Sequence, residues 1–320
     1  MAWASGPAQP ENHRLVTVVV RPGDSAAVVG ERLRQAGLIR SALWFALWSR
    51  LSGGARDLKA GVYRFSPSES PAAMLQAIVK GQVAVVRVTI PEGWTVRQVV
   101  ARLVQAGVGT PAQYRRLLHT PFSGMPDPAP GVRDPFEGYL FPATYAVPWG
   151  ASPRQALAMM WQTFSERAVA GIWQRQAHPA LSLQQWVTLA SLVQAESDRP
   201  KDDPLVAAVF WNRLKRGMPL QSDATVRYAL SGQPPAGRSA LAVASPYNTY
   251  LYRGLPPGPI DNPGLAALEA ALHPARVGYL YFVSTPEGHL VFATTYQQQL
   301  AHIAALRAPS PSSGRSSPPP

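Results

Sequence analysis

Apolar and polar residues follow the same order in two stretches of this chain. VTVVVRPGDSAAVVGERLRQAGL (16–38) resembles VRVTIPEGWTVRQVVARLVQAGV (86–108), and the matched pairs include Val18 with Val88, Gly23 with Gly93 and Gly37 with Gly107. Each copy starts with apolar residues that suit a strand, turns at Pro and Gly, and continues at helical spacing up to a glycine. Each copy therefore predicts a strand followed by an amphipathic helix.

The segment between the two copies predicts three more elements. SALWFALWSRL suits a helix, GVYRF a strand, and SPAAMLQAIVKG a helix with a serine cap and proline in its first turn. With the second copy included, these elements predict an α+β module over residues 16–118. Residues 1–15 form a short N-terminal segment before it.

A second, larger domain is predicted from 134 to 305. It is preceded by a proline-rich linker or loop at 119–133, where prolines and other turn formers replace the periodic pattern. The pattern beyond is mainly helical to about 230. A short helix at 264–272 and a hairpin in YLYFVSTPEGHLVFATT then complete a mainly helical α+β domain. The low-complexity tail, 306–320, is predicted to be disordered.

One carboxylate interrupts an apolar helix face in LASLVQAESDRP. Trp186, Leu189, Leu192 and Val193 share one stripe of a helix, and Glu196 follows on the same stripe near the helix end. Loss of hydration there would raise the pKa of Glu196 and let it hold a proton near neutral pH, as a general acid must. The structural alternative is a glutamate hydrogen-bonded to the backbone or to an arginine.

Polar residues that suit a sugar polymer concentrate downstream of Glu196. Asp203 is expected to cap the next helix, with Pro204 at its first position. Beyond that helix, two segments supply hydroxyl, amide, carboxylate and aromatic groups: Gln221, Ser222, Asp223, Asn248 and Tyr250. Ordinary turn chemistry also uses such residues, and the two interpretations are compatible.

Composition narrows the function classes. The net charge of +12 suits a polyanionic partner or simply a solvated basic surface, and the basic residues are scattered rather than clustered. The absence of cysteine excludes disulfides, thiolate metal sites and a cysteine nucleophile. The histidines show no ligand-type spacing, so neither a metal nor another cofactor is expected. The sequence has no stretch of 18 apolar residues, so no membrane span is predicted, and no signal peptide is evident.

Several long motifs resemble the MltG/YceG family of endolytic murein transglycosylases. They are EGYLFPATY, ASLVQAES, PLVAAVFWNRLKRGMPLQSDATVRYAL, SPYNTYLYRGLPPGPIDNPGLAALEAAL and the hairpin segment. The resemblance implies that 134–305 is the catalytic domain and that the N-terminal module is LysM-like. It places the catalytic glutamate on Glu196, whereas many members have a further acidic residue where this chain has Gln194.

The resemblance also implies a reaction and a location. The reaction is cleavage of the MurNAc–GlcNAc β-1,4 bond of nascent glycan strands, leaving 1,6-anhydro-MurNAc ends and terminating strand elongation. The residues that would bind substrate are Gln221, Ser222, Asp223, Asn248 and Tyr250. Glu137 of EGYLFPATY would support them from behind or have a structural role.

The expected location is the periplasmic face of the bacterial inner membrane, with peptidoglycan strands and possibly peptidoglycan synthases as partners. Family members usually carry one N-terminal membrane helix, which this chain lacks. Three explanations are open: a gene start further upstream, a truncated sequence, or a protein without an anchor.

Three other functions are left open by the residues. A wall-binding protein without catalysis would need no acid at 196. A hydrolytic muramidase would need a second carboxylate, for which Asp223 is the best candidate. A pyridoxal-phosphate lyase would need a Schiff-base lysine, yet the four lysines lie in loop, helix-end or polar surroundings. Nucleic-acid binding rests on charge alone and is not expected.

Overall fold

The described residues, 2–176, 180–231 and 242–307, form an α+β structure with two compact units in a computed structural model. The first unit comprises Met1–Val88, Leu103–Gly109 and Thr144–Ala156, and the second comprises Thr89–Arg102, Thr110–Ala143 and Leu157–Pro320. The tail predicted to be disordered lies outside the described residues from 308 onward. Among the described residues, no helix has both the length and the apolar character needed to cross a membrane.

The first unit is built on a small antiparallel sheet covered by helices. Strands β1 and β2 pair with Val16 opposite Phe65 and Val20 opposite Gly61. A second pair of strands, β3 and β4, belongs largely to the same unit. The elements are α1 (Ala2–Ser5), β1 (Val16–Val20), α2 (Ala26–Gln35), α3 (Ala42–Leu51), β2 (Gly61–Phe65), α4 (Pro71–Lys80), β3 (Val85–Thr89) and β4 (Thr144–Pro148).

Both copies of the sequence repeat fold as predicted. The first gives β1 and α2, and the second gives β3 and α5 (Val96–Gln105). The matched glycines also share a backbone conformation, since Gly37 has φ +71° and Gly107 has φ +79°. A positive φ at the end of each helix is the conformation that favours glycine, so the repeat extends to the helix stop itself.

The core of the first unit comes from the apolar faces that the pattern predicted. Val29 and Leu33 of α2, Phe45 of α3 and Ile78 of α4 are fully buried against the sheet residue Tyr63. Helix α4 begins at Ser70, whose hydroxyl accepts the Ala73 N–H, and ends at Gly81 in the left-handed conformation. These caps confirm both ends of the helix predicted in SPAAMLQAIVKG.

The second unit is mainly helical and carries the hairpin. Its elements are α6 (Pro111–Leu117), α7 (Pro153–Phe164), a π-helical turn (Ser165–Ala170), α8 (Leu183–Glu196), α9 (Asp203–Lys215), α10 (Asp223–Ala229), α11 (Leu265–Leu272), β5 (Tyr281–Ser284), β6 (Leu290–Ala293) and α12 (Tyr296–Arg307). Strands β5 and β6 pair in antiparallel register, which confirms the predicted hairpin.

Helix α8 is the central element of the second unit. Its residues 186–193 are all buried, and its N-terminus is closed by a capping box between Ser182 and Gln185. The Trp186 indole N–H donates to the Leu268 carbonyl oxygen of α11 at 2.8 Å, so the buried ring is also hydrogen-bonded. A helix fixed at its start and along its length places its last residue, Glu196, in a defined position.

The helix after α8 begins differently from the expectation. Asp203 is the first residue of α9 rather than its cap, and Asp202 occupies the cap position without a side-chain cap hydrogen bond. The Asp203 carboxyl instead lies buried near Ser197, whose side chain favours the charged form of the carboxyl. Burial raises the pKa of Asp203 to about 6. The prediction of Asp203 as the N-cap was therefore wrong by one position, and the Asp203 side chain is buried rather than placed at the cap.

Candidate active site

Glu196, the last residue of α8, meets the start of α10. The Ser222 hydroxyl donates to Glu196 Oε1 at 2.6 Å, and the backbone N–H of Ala224 also hydrogen-bonds to the carboxylate. Ser222 is the N-cap residue of α10, yet its side chain makes no cap hydrogen bond because it is used on Glu196. The carboxylate of one helix thus satisfies an open N–H at the start of another.

The electrostatic balance at Glu196 favours the protonated form more than in water. Burial of the carboxyl raises its pKa and is the largest influence. The Ser222 hydroxyl, Arg227 and the Ala224 N–H act in the opposite direction, while the charge of Asp223 adds to the rise. Glu196 as a whole is only half-buried, so a ligand can still approach it.

The loop that carries Ser222 is held in an unusual conformation. Gln221 has φ +52°, which is uncommon for a residue other than glycine. Its N–H donates to the Thr249 carbonyl oxygen, and the Ser222 N–H donates to the Thr249 hydroxyl at 3.0 Å. Arg213, buried in α9, donates to the carbonyl oxygen of Leu220 at 2.7 Å. These bonds compensate the strain and fix the Ser222 hydroxyl against Glu196.

Four of the predicted substrate-binding residues come together around Glu196. Ser222 contacts it directly, and Gln221 precedes Ser222 in the same loop. Asp223 and Tyr250 form a pair next to it, in which the Tyr250 hydroxyl donates to Asp223 Oδ1 at 2.7 Å. Burial and this bond raise the pKa of Tyr250, so its hydroxyl keeps its proton. The cluster offers hydroxyl, amide and carboxylate groups beside the buried acid.

Asn248 lies beneath this cluster. It is fully buried, its side-chain amide donates to the Val243 carbonyl oxygen, and its Oδ1 accepts the Tyr250 N–H at 3.0 Å. These backbone partners occupy the amide, and they position Tyr250.

Glu137 lies in a cavity next to the cluster. Glu137 Oε1 accepts the Val96 N–H, the first of helix α5, at 2.9 Å. The cavity has a volume of about 740 Å³ and is lined on one side by Gln194, Ala195, Ser197 and Asp198 of the α8 end. Ala224, whose N–H bonds to the Glu196 carboxylate, also lines the cavity. Glu196 itself is not a lining residue, but its carboxylate is bonded to one.

Gln194 and Gly138, each close in sequence to a predicted site residue, have structural roles. Gln194 Oε1 accepts the N–H of Gly264, the N-cap residue of α11, at 2.9 Å, so the amide at this position joins two helices. Gly138, next to Glu137, has φ +89°, and a methyl group there would lie 2.6 Å from Pro259 Cγ and 2.7 Å from Val187 Cγ1. Glycine is therefore required in EGYLFPATY for both backbone and space.

Sequence reasoning missed Asp261, Asn262 and Arg213. Asn262 is fully buried, donates to the Trp94 carbonyl oxygen at 2.7 Å and accepts the Leu140 N–H at 2.8 Å. Asp261 is 4% exposed and lines the cavity. The only signal for either was their place in GPIDNPG, which reads as a turn. Among the described residues, no group of His, Asp and Glu side chains is arranged to hold a metal ion.

Comparisons with known proteins agree with the resemblance drawn from the motifs. The YceG-like family matches residues 18–305 of the chain. The chain belongs to the YceG-like family. The arrangement around Glu196 described above is thus that of a YceG-like protein.

Relatives and a solved structure support the same assignment. The YceG-like chain is 31% identical over 317 residues to the endolytic murein transglycosylase of Bacillus subtilis strain 168, covering 91% of this chain and 85% of that protein. It is 30% identical over 333 residues to the endolytic murein transglycosylase of Streptococcus pneumoniae serotype 2 strain D39, covering 93% of this chain. It spans only 59% of the length of that pneumococcal relative. A 2.6 Å crystal structure of a yceG-like protein from Listeria monocytogenes superposes with a TM-score of 0.60 at 29% identity, covering 91% of this chain and 99% of that one.

Proposed function

We propose that this chain is an endolytic peptidoglycan lytic transglycosylase with Glu196 as its catalytic acid and base. It would cleave the MurNAc–GlcNAc β-1,4 bond of nascent strands and thereby terminate their elongation. The observation that carries the proposal is the Glu196 carboxyl itself. It is desolvated at a helix end, its pKa is raised, and Ser222 holds it in place. The names of the bacillary and pneumococcal relatives agree with this activity.

The first step uses the protonated form of Glu196. The carboxyl gives its proton to the oxygen of the glycosidic bond while the bond between that oxygen and C1 of MurNAc breaks. Burial favours this starting state because it raises the pKa of the carboxyl. Positive charge that develops at C1 and the ring oxygen would then be balanced by the new carboxylate.

The second step uses the carboxylate that remains. It takes the proton from the C6 hydroxyl of the same MurNAc while the C6 oxygen forms a bond to C1. No water enters, the product has a 1,6-anhydro ring, and Glu196 regains its proton. Because the nucleophile is tethered to the substrate, one carboxyl can serve both proton transfers. The Ser222 hydroxyl and Ala224 N–H stabilise the carboxylate between the steps.

The other predicted site residues take supporting roles in this proposal. Gln221 and the Asp223–Tyr250 pair are placed to hydrogen-bond the sugars or their N-acetyl groups. Asn248 positions Tyr250 through the backbone. Glu137, engaged with the Val96 N–H, acts from the neighbouring cavity rather than on the scissile bond.

The alternatives differ from the proposal in measurable ways. A muramidase using Asp223 as its second carboxylate would add water to the new end, although that carboxylate is already hydrogen-bonded to Tyr250. A pyridoxal-phosphate enzyme is disfavoured because all four lysines are exposed. A wall-binding protein would leave strands uncut. Incubating the protein with uncross-linked strands and weighing the fragments separates these outcomes. The proposal expects ends lighter by one water than hydrolysis products, and uncut strands or hydrated ends would contradict it.

We also propose the domain organisation that the sequence predicts. The LysM-like module at 16–118 is supported by its order of β1, α2, α3 and β2 with antiparallel strands, and 134–305 would be the catalytic domain. Limited proteolysis should cut the chain within 119–133 before it cuts within 185–230. We place the protein in the bacterial cell envelope, with glycan strands as substrate and peptidoglycan synthases as possible partners.

A further inference from the structure

A buried carboxyl without a partner lies in the cavity next to Glu196. Asp261 is only 4% exposed, and its Oδ1 has no hydrogen-bond partner among the described residues. Buried polar atoms are nearly always paired, because an unpaired one loses its hydration without compensation. Asp261 also lines the cavity, so a donor that enters the cavity from outside the chain is the group that can complete this carboxyl.

A second carboxyl makes the cavity floor acidic. Glu137 is 3% exposed, and the charges of Asp134 and Asp261, which also line the cavity, disfavour its ionised form. Glu137 keeps the Val96 N–H and a hydrogen bond with the Tyr228 hydroxyl, whereas Asp261 has no such support. Burial raises the pKa of both groups well above the usual range. An ammonium group is the donor that would best relieve two buried carboxyls.

The rim of the same cavity is basic. Arg97, Arg133 and Arg227 all line it and are all exposed. Arg97 and Arg133 donate to backbone oxygens of the α10 end, but Arg227 makes no hydrogen bond among the described residues. The rim thus offers at least one guanidinium group for a carboxylate.

The cavity wall carries more charge than a sugar ring requires. Eight of its eighteen lining residues are ionisable as acid or arginine, and Tyr228 is the only aromatic side chain among them. A neutral glycan does not need groups of both charges in such number, whereas this surface suits a ligand that carries both an ammonium group and carboxylates. In peptidoglycan, the peptide stem is the part with that chemistry, since its diamino acid has a free amine and the stem has free carboxylates.

We propose that this cavity binds the peptide stem of the MurNAc residue that is being cleaved, with the stem amine at Asp261 and a stem carboxylate at Arg227. The assignment deepens the proposed function and rests on it. MurNAc carries both the reacting C1 and the stem, so the stem must leave the active site close to Glu196. Ala224 provides that continuity, since its N–H reaches Glu196 and it lines the cavity.

The site would make the enzyme selective for uncross-linked strands. Cross-linking converts the amine of the diamino acid into an amide, which removes its positive charge and adds bulk. A cavity that requires the free amine would then reject a cross-linked stem. New strands, whose amines are still free, would be the preferred substrate.

Binding measurements test the site without requiring cleavage. Calorimetry would compare three soluble ligands: a disaccharide with its peptide stem, the same molecule with the stem amine acetylated, and the disaccharide without a stem. We expect the intact molecule to bind about tenfold or more tightly than either of the others, as a charge-assisted bond lost from a desolvated site implies. Equal affinity for all three would overturn the proposal.

Variants assign the effect to particular residues. Asp261→Asn should lose most of the preference for the free amine, and acetylation should cost no further affinity in that variant. Asp57→Asn, which changes an exposed aspartate of the first unit, should bind all three ligands as wild type does. If acetylation weakens binding to Asp261→Asn as much as to wild type, the amine is bound elsewhere and the proposal fails.

A surface variant covers the case in which Asp261→Asn does not fold. Arg227→Gln changes an exposed side chain and should lose affinity for the intact stem but not for a stem with amidated carboxylates. Unchanged binding of both would contradict the rim assignment. The binding measurements can be interpreted separately from the cleavage assay. Stem selectivity without strand cleavage would refute only the proposed function. Cleavage without stem selectivity would refute only this site.

Discussion

Replacing Ser222 by alanine should move the pH dependence of strand cleavage in a direction that the structure determines. The Ser222 hydroxyl donates to Glu196 Oε1 at 2.6 Å and so favours the carboxylate over the protonated acid. Removing it raises the pKa of Glu196. The first step needs the protonated form, so kcat/KM falls as pH rises through the pKa of Glu196 in the free enzyme. Ser222→Ala should therefore shift this alkaline limb to higher pH.

The size of the shift follows from the strength of one hydrogen bond to a charged group. Such bonds contribute about 1.5–3 kcal/mol. The lower end applies here because the Ala224 N–H still supports the carboxylate, and Glu196 is half-buried, so water can replace part of the loss. At about 1.4 kcal/mol per pKa unit, the limb should move by about one pH unit.

The assay is the rate of anhydro-end formation at low substrate concentration across the alkaline limb. Ser222→Thr keeps a hydroxyl and should retain the wild-type limb. Ser182→Ala removes the cap at the opposite end of α8 and should lower the free energy of unfolding by about 1 kcal/mol without moving the limb. A limb that stays in place in Ser222→Ala, or moves to lower pH, would show that Glu196 is not the titrating acid.

Two further predictions concern stability. Gly138→Ala should lower the free energy of unfolding by about 3 kcal/mol or more, because it adds both backbone strain and overpacking. Gly107→Ala should lower it by only about 1–2 kcal/mol, because Gly107 has a similar φ but no atom within 4 Å of the added methyl group. Equal losses of the two variants in urea titrations would refute the steric argument. Asp203 has a folded pKa raised from 3.8 to about 6, so its contribution to stability is complete below about pH 4 and is lost as pH rises through about 6. That difference corresponds to about 3 kcal/mol at most, and solvent screening together with the start of α9, which favours a charged aspartate, reduces it to about 1–2 kcal/mol. Asp203→Asn should therefore be about 1–2 kcal/mol more stable than wild type at pH 8 and show no such gain at pH 4, and a loss at pH 8 would contradict the burial effect.

Local patterns were enough to predict most of the elements. The apolar stripe of α8, the caps of α4 and the β5–β6 hairpin depend on residues close together in sequence, and each appears where the pattern placed it. The helix ends at Gly37 and Gly107 are predictable for the same reason, because the positive φ at each glycine is a local requirement of the chain. Glu196 was singled out because a carboxylate on an apolar stripe is itself a local anomaly.

The features that the sequence did not reveal depend on burial and contacts in the folded chain that no local pattern shows. Asp203 does not take its expected cap role, and its side chain is buried instead. Asn262 connects segments more than 100 residues apart, and nothing in GPIDNPG shows that its amide will face Leu140 and Trp94. Asp261 became notable only through its burial and unpaired oxygen, which are properties of the folded chain.

The central claim is that Glu196 performs both proton transfers, and Glu196→Gln tests it most directly. The amide keeps the size of the side chain and can still accept the Ser222 hydroxyl, so the melting temperature should not fall. It can neither release nor accept the proton, and a positioned acid–base group contributes about 10²–10⁴-fold in rate. On uncross-linked strands, the variant should form anhydro ends at least about 10³-fold more slowly than wild type. A folded variant with a rate within about tenfold of wild type would contradict the account.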